Sequence, residues 1–315
     1  MKKIVVFGGG HGMNYFLQGI KLFPVEITAV ISVCDNGKST GKLREEFNMP
    51  AVGDLRNVIV SLAKIDSSIK DVMQYRFNTY SDLNGHPIGN LLITGMYNMT
   101  GSLKESIDMC SKLLDVDARV LPLSEDYLTL MGETIDGEIV EGESNIPLSG
   151  KKYKKIFYKE KPKVLKEVLD AVKCADAIVF SMGSLYTSTI PHLLCKDLID
   201  EISKSKAKII YLCNAVTQFG ETEDFSVSDH LKILNKYLKK RKVDTVLAAN
   251  TKISDKILAK YSNEEQKGLV KIDKEEIARL DCKLILGDIL TLEDDMIRHD
   301  SLKLATVFFS YLMRW

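Results

Sequence analysis

A carboxylate, two hydroxyls and three cations set among glycines are the groups that hold a phosphate, and Asp35-Asn36-Gly37-Lys38-Ser39-Thr40-Gly41-Lys42-Leu43-Arg44 supplies all of them in one run. Asp35 stands where a carboxylate can meet a ribose hydroxyl or a divalent cation, while Lys38, Lys42 and Arg44 can offset phosphate charge. The fragment Gly37-Lys38-Ser39 is not a P-loop, because that pattern needs a glycine where Ser32 stands. The competing reading is an Asx turn opening a solvated basic helix. A second run, Gly8-Gly9-Gly10-His11-Gly12, follows an apolar strand and precedes a helix pattern. There the backbone N–H groups of Gly9, Gly10 and Gly12, with His11 beside them, can approach an anion at a helix start. The run also suits a tight structural turn, and it lacks the third glycine of a dinucleotide fingerprint, since Met13 occupies that position.

Five further segments place polar groups after strands or at helix starts. Pro50-Ala51-Val52-Gly53-Asp54-Leu55-Arg56-Asn57 opens a helix with Asp54 as a plausible cap. Arg56 and Asn57 in its first turn run against the usual preference for acids, which allows a ligand role. Gly85-His86-Pro87-Ile88-Gly89-Asn90 is another helix start, with Pro87 suited to the first helical position. His86 and Asn90 are candidates for contact with the same ligand, although a lone histidine is commonly structural. Gly183-Ser184-Leu185-Tyr186-Thr187-Ser188 ends a strand with amide and hydroxyl donors, and Thr217-Gln218 lies after the next strand. Arg298, in Arg298-His299-Asp300 before the last helix, suits a diphosphate clamp or an ion pair with a nearby acid.

These segments need a scaffold that brings strand ends together. Lys3–Phe7, Glu26–Val33, Asp176–Ser181, Lys208–Cys213, Val243–Ala248 and Lys283–Leu286 are short apolar runs, the pattern of strands buried on both faces. Helix-period stretches alternate with them, which predicts βαβ units and a mostly parallel sheet in a three-layer α/β/α, Rossmann-like fold. One domain is expected to span residues 1–315, with residues 119–147 as a small β-hairpin insertion around the turn Asp136-Gly137. Eight lysines between Lys151 and Lys166 read as a solvated connector, or as a basic lip beside an anionic ligand.

Composition limits the functions open to the chain. With 43 basic and 43 acidic residues the formal net charge is zero, so no global field favours nucleic acid or an anionic membrane. The six cysteines are scattered without a CxxC pair and are expected to be free, buried thiols. No apolar stretch reaches the length of a spanning helix, and no signal-peptide core opens the chain, so a cytoplasmic location is expected. There is no HExxH, zinc-type Cys/His spacing or GxSxG. A homodimer is the expectation from the frequency of two-fold assemblies.

Taken in order, Gly8–Gly12, Asp35–Arg44, Pro50–Asn57, Gly85–Leu92, Gly183–Ser188, Thr217–Leu231 and Arg298–Asp300 resemble the motifs of the gluconeogenesis factor (YvcK-like) proteins and the related 2-phospho-L-lactate transferases (CofD-like). The resemblance covers essentially the whole chain. It implies a UDP-sugar or dinucleotide site formed by Gly9, Gly10, His11, Gly12, Asp35, Asn36, Lys38, Ser39, Arg44, Asp54, Asn57, His86, Asn90, Gly183, Ser184, Thr217, Gln218 and Arg298. The chain departs from the family pattern where His11 replaces a threonine, Asn36 an aspartate and Lys38 a glycine.

Three readings follow. In the first, which the resemblance favours, the chain is a non-enzymatic UDP-sugar sensor linked to cell shape and cell-wall precursor supply during gluconeogenic growth. Its output is contact with a protein of amino-sugar synthesis. In the second it is a Mg²⁺-dependent transferase with a nucleotide-linked donor, Asp35 holding Mg²⁺ or taking a proton, Lys38 offsetting phosphate charge and His86 acting as acid or base. The third, an NAD-dependent redox enzyme, lacks a recognisable hydride-handling site.

Overall fold

Residues 1–265, 268–294 and 296–315 are described in this computed structural model, without the side chains of His11, Lys260 and residues 262–265. The strands are β1 (Lys2–Gly8), β2 (Val25–Ile31), β3 (Arg119–Pro122), β4 (Leu130–Thr134), β5 (Ile139–Glu141) and β6 (Tyr153–Tyr158). They continue with β7 (Ala177–Phe180), β8 (Lys208–Leu212), β9 (Thr245–Ala249), β10 (Lys283–Gly287), β11 (Leu290–Glu293) and β12 (Met296–His299). Seven of them form one sheet in the order β10-β9-β8-β7-β1-β2-β3, every neighbouring pair parallel. Ile4–Phe7 and Ile178–Phe180 are fully buried because helices cover both faces, which is why these strands read as continuous apolar runs rather than alternating ones.

The strand order reverses at β1. The chain moves from β1 outward to β2 and β3, then returns to β7 on the other side of β1 and continues outward to β10. Loops leaving β1 and β7 therefore diverge and open a crevice at the carboxyl ends of the strands. Four helices of the chain's first half start from this side, α1 (Gly10–Ile20), α2 (Lys38–Phe47), α3 (Gly53–Leu62) and α5 (Ile88–Thr100), while α4 (Ser67–Gln74) starts by the far ends of α1 and α3. Close packing against the C-terminal helix Ser301–Leu312 fixes α1. A Cβ on Gly19 would run into the carbonyl of Ser301, and Phe16 meets Phe308 edge-on with ring centroids 4.9 Å apart.

The expected hairpin forms at Asp136-Gly137, with Gly137 at φ +85°, and joins antiparallel β4 and β5. The limits of this element differ from those expected from sequence. Arg119–Pro122 pairs with β2 and is the edge strand of the main sheet, not part of the insertion. The separate sheet instead gains β6 from the lysine-rich stretch, in the order β5-β4-β6. Tyr153, Ile156 and Tyr158 face inward while Lys154 and Lys155 face solvent. Lys151, Lys154 and Lys159 pair with Glu138, Glu133 and Glu141, so this part of the stretch is a strand with partnered charges rather than a connector or a basic lip. Five cysteines are free and buried as expected, but Cys174, at a helix end, is exposed. Among the described residues no helix is long and apolar enough to cross a membrane.

Candidate functional site

At the β1–β7 crevice, α1 starts without a side-chain cap, because its cap residue is Gly9, and no acid occupies its first turn. Its orphan N–H groups face the crevice with the positive end of the helix dipole. Gly10 takes φ +64° and donates its N–H to Asp54 Oδ2 at 2.8 Å. At Gly12 a side chain is excluded outright, since a Cβ would overlap the Met182 carbonyl oxygen of the loop after β7. The two loops touch only because this residue is glycine.

A cavity of about 420 Å³ opens beside that contact, lined by Gly12, Tyr15, Gly183, Ser184, Gln218 and Arg298, among others. Asn214 holds Gly183 from both sides, accepting its N–H at 3.0 Å and donating to its carbonyl at 2.7 Å. Ser184 begins a single π turn, Leu185–Thr189, a distortion frequent at functional sites. The buried Glu221 carboxylate fastens this turn, accepting hydrogen bonds from Ser184 Oγ, Thr187 Oγ1 (3.3 Å) and the Tyr186 N–H (3.0 Å). Gln218 Nε2 donates to the same carboxylate at 3.4 Å. Thr217 exchanges bonds with Gly268 through its N–H and hydroxyl, so it secures the cavity wall.

A second cavity, of about 250 Å³, is lined by Asp35, Lys38, Asp54, Arg56, Arg76 and Glu143 with other residues. Asp35 Oδ1 accepts the Gly37 N–H at 2.8 Å. Asn36 Oδ1 accepts both the N–H (2.9 Å) and the hydroxyl (3.0 Å) of Ser144, which docks the small antiparallel sheet here and delivers Glu143. Lys38, exposed at the rim, adopts φ +42°, a left-handed conformation costing a non-glycine residue about 1 kcal/mol. Arg56 is buried, bonded to Asn57 Oδ1 at 2.6 Å, and its Nε has no partner among the described residues. Burial and the like charge of Arg76 lower its pKa to about 10. Asn57 lies within this same wall.

Two sequence candidates, Arg44 and His86, act one layer behind the smaller cavity, while Ser39 and Asn90 line it. Arg44 donates to the carbonyls of Cys34 (2.8 Å), Asp35 (2.9 Å) and Leu128 (2.6 Å), and its guanidinium stacks on Tyr127. It fixes the Asp35 loop rather than facing the crevice. Ser39 Oγ lies 2.9 Å from His86 Nδ1 and accepts from Asn90 Nδ2 at 3.2 Å, a buried network joining the starts of α2 and α5. Burial lowers the His86 pKa. The His11 side chain lies outside the described residues. Glu143, Glu221, Asn214 and Arg76 join the candidate set from the structure, and Glu143 had no local signal because only Asn36 brings it to the site.

The carboxyl groups perturb one another. Burial, then the charge of Asp35, raises Asp54 to about 6, against the lowering effect of the Gly10 bond. Burial and Asp35 raise half-buried Glu143 to about 8. Glu143 therefore keeps its proton into neutral pH and can donate a hydrogen bond. Between the ordinary carboxylate range and about pH 8 the folded chain binds more protons at Glu143 than the unfolded chain, so this group makes stability fall as pH rises. Glu143→Gln is expected to flatten the decline in melting temperature between pH 5 and 8; an unchanged slope in thermal melts would refute that contribution.

The donor set does not suit Mg²⁺. Asp35 and Asp54 each have an oxygen engaged by a backbone N–H, and Asn36 is neutral. Among the described residues no three His, Cys, Asp or Glu side chains are grouped as metal ligands. Phosphate oxygens and hydroxyls fit better: glycine N–H groups and Arg298 on one side, hydroxyl-accepting carboxylates on the other.

The family model described as 2-phospho-L-lactate transferase CofD matches residues 4–290. The "Gluconeogenesis factor" of Halalkalibacterium halodurans is 41% identical over 305 residues, covering 96% of this chain and 94% of that protein. That of Bacillus subtilis is 40% identical over 311 residues, covering 98% of each. A crystal structure of a Bacillus halodurans protein superposes with a TM-score of 0.95 at 41% identity, covering 98% of this chain and 99% of that one.

Proposed function

The chain belongs to the 2-phospho-L-lactate transferase CofD family, and from that premise we propose that it is a gluconeogenesis factor that binds a UDP-sugar or related nucleotide as a regulatory ligand. The observation that carries this reading is the pair of unlike cavities beside the loops after β1, β2 and β7, where the strand order reverses, one lined by Gly12, Gly183 and Arg298 and the other by Asp35, Asp54 and Glu143. The larger one suits the nucleoside and diphosphate, with α1 N–H groups and Arg298 on the phosphates. The smaller one suits the sugar, whose hydroxyls can donate to Asp35 and Asp54 and accept from Glu143. Lys38 at the rim supplies a positive charge without a metal. The ligand-bound form is read by a protein partner, an enzyme of amino-sugar synthesis, tying the chain to cell shape and cell-wall precursor supply during gluconeogenic growth in the cytoplasm.

A ligand that binds only the folded chain raises its melting temperature. A panel of UDP-sugars, UDP, GDP and NADH, each with and without Mg²⁺, tests the proposal. UDP-sugars are expected to raise the melting temperature equally in both conditions. A rise confined to GDP with Mg²⁺ would support the transferase, one confined to NADH the redox reading, and no rise with any UDP-sugar at millimolar concentration refutes the sensor.

A further inference from the structure

A third depression, a groove of about 710 Å³, runs along the outer side of α1 between α3 and the start of α4. It shares Tyr15 with the larger cavity and Asn57 with the smaller one, and extends from them towards Lys21 and Leu22 at the far end of α1. Lys21 and Lys70 enter it from different helices. Among the described residues neither ammonium has a carboxylate within ion-pair distance, and the Lys21 ammonium donates only to the Ser61 carbonyl at 2.7 Å. Both side chains line the same groove, and burial, then the charge of Lys70, lowers the pKa of Lys21. Asn14 Oδ1, also in the groove, is buried without a hydrogen-bond partner among the described residues. Further along, Gln18 and Gln74 offer amides, and Asp71 and Glu293 offer carboxylates, Glu293 being held by the Tyr15 hydroxyl at 2.9 Å.

Two unneutralised ammoniums at one end call for a dianion, and amides and carboxylates at the other call for hydroxyl groups that both donate and accept. We infer that this groove is a second ligand site, for a phosphate monoester of a sugar or polyol, with the phosphate between Lys21 and Lys70. A carboxylate would neutralise only one of the cations, and a nucleotide would find no aromatic surface to stack on except the edge of Tyr15. The groove's volume exceeds what inorganic phosphate alone would occupy, which leaves room for the polyol.

Glucose 6-phosphate and glycerol 3-phosphate, with glycerol and inorganic phosphate as controls, should be titrated calorimetrically into the full chain, into Arg298→Ala and into Lys21→Gln/Lys70→Gln. The Arg298→Ala variant separates this groove from the nucleotide cavity. Binding of at least one ester is expected in the native chain and in Arg298→Ala. The lysine double variant should weaken it by roughly tenfold to a hundredfold, the loss expected for hydrogen bonds to charged groups. Circular dichroism and the melting temperature of the double variant establish that it is folded, and Lys21→Arg/Lys70→Arg should retain binding. Absence of binding at millimolar ester, binding unchanged in the folded Gln double variant, loss of binding in Arg298→Ala, or equal binding of glycerol would each overturn the inference.

Discussion

Arg298→Ala should weaken UDP-sugar binding roughly thirtyfold to a hundredfold while leaving the ligand-free melting temperature within about 2 °C of the native chain. The asymmetry follows from the position of Arg298 on β12. Its neighbours Ile297 and His299 are buried, while Arg298 is half-buried and lines the 420 Å³ cavity. Antiparallel pairing of Thr291 with Arg298 is a backbone interaction, so the hairpin does not need the guanidinium. Truncation removes charge-assisted bonds to a diphosphate, worth about 2–3 kcal/mol together, and no core packing. Arg298→Lys should recover only part of the affinity, because an ammonium keeps the charge but lacks the planar fork. Calorimetric titration of UDP-N-acetylglucosamine into the three proteins measures this. Native affinity in Arg298→Ala would remove the diphosphate from this cavity and with it the proposed ligand orientation.

The parts of this site that sequence made legible are those built from local chemistry. A β-branched apolar run followed by three glycines has few alternatives to a buried strand and a tight turn, and Lys2–Gly8 with Gly10 at φ +64° has that form. The helix starts near Gly37, Val52 and Pro87 were legible for the same reason, but not their caps: Asp54, read as a cap, lies inside the first turn of α3, and Pro87, read as the first helical residue, is the cap of α5. β6 was not, because its outward lysines dominate the composition while Tyr153, Ile156 and Tyr158 supply the inward pattern, and only pairing with β4 distinguishes a strand from a solvated tract. Side-chain direction was also hidden. Arg44 looks like a phosphate ligand in its segment, yet its carbonyl partner Leu128 is 84 residues away, and that contact turns the guanidinium from the crevice. Glu143 enters through a bond between Asn36 and Ser144, 108 residues apart. A contact of that separation leaves no trace in local spacing. The substitution of Asn36 for an acid, read from sequence only as a lost charge, has a positive role in the fold: its amide oxygen accepts two bonds from Ser144.

Glu221 shows how far such a positioning role can reach, and Glu221→Ala should produce the largest loss of stability among the site variants. The carboxylate is 8% exposed and accepts from two hydroxyls, one backbone N–H and one amide. Burial raises its pKa, and the bonds from Ser184, Tyr186 and Thr187 oppose that rise. Alanine would leave the buried Tyr186 N–H without a partner and free the Ser184 and Thr187 hydroxyls to turn away. One unsatisfied buried donor costs about 1–3 kcal/mol, so with the cavity left behind the expected total is roughly 2–4 kcal/mol. The π turn Leu185–Thr189 would relax, moving Ser184 relative to Gly183, and UDP-sugar binding should fall even though Glu221 reaches the ligand only through that turn. Glu221→Gln keeps one acceptor oxygen of the same shape and should restore most of the stability. Because the native pKa is raised, ionisation of Glu221 costs the fold stability as pH rises above the ordinary carboxylate range, and the glutamine variant should lack that component. Urea denaturation of both variants at pH 5 and 8, with UDP-N-acetylglucosamine titrations beside it, separates the effects. If Glu221→Ala matches the native chain in both stability and affinity, the π turn holds its shape without the carboxylate, and Ser184 owes its position to backbone packing alone.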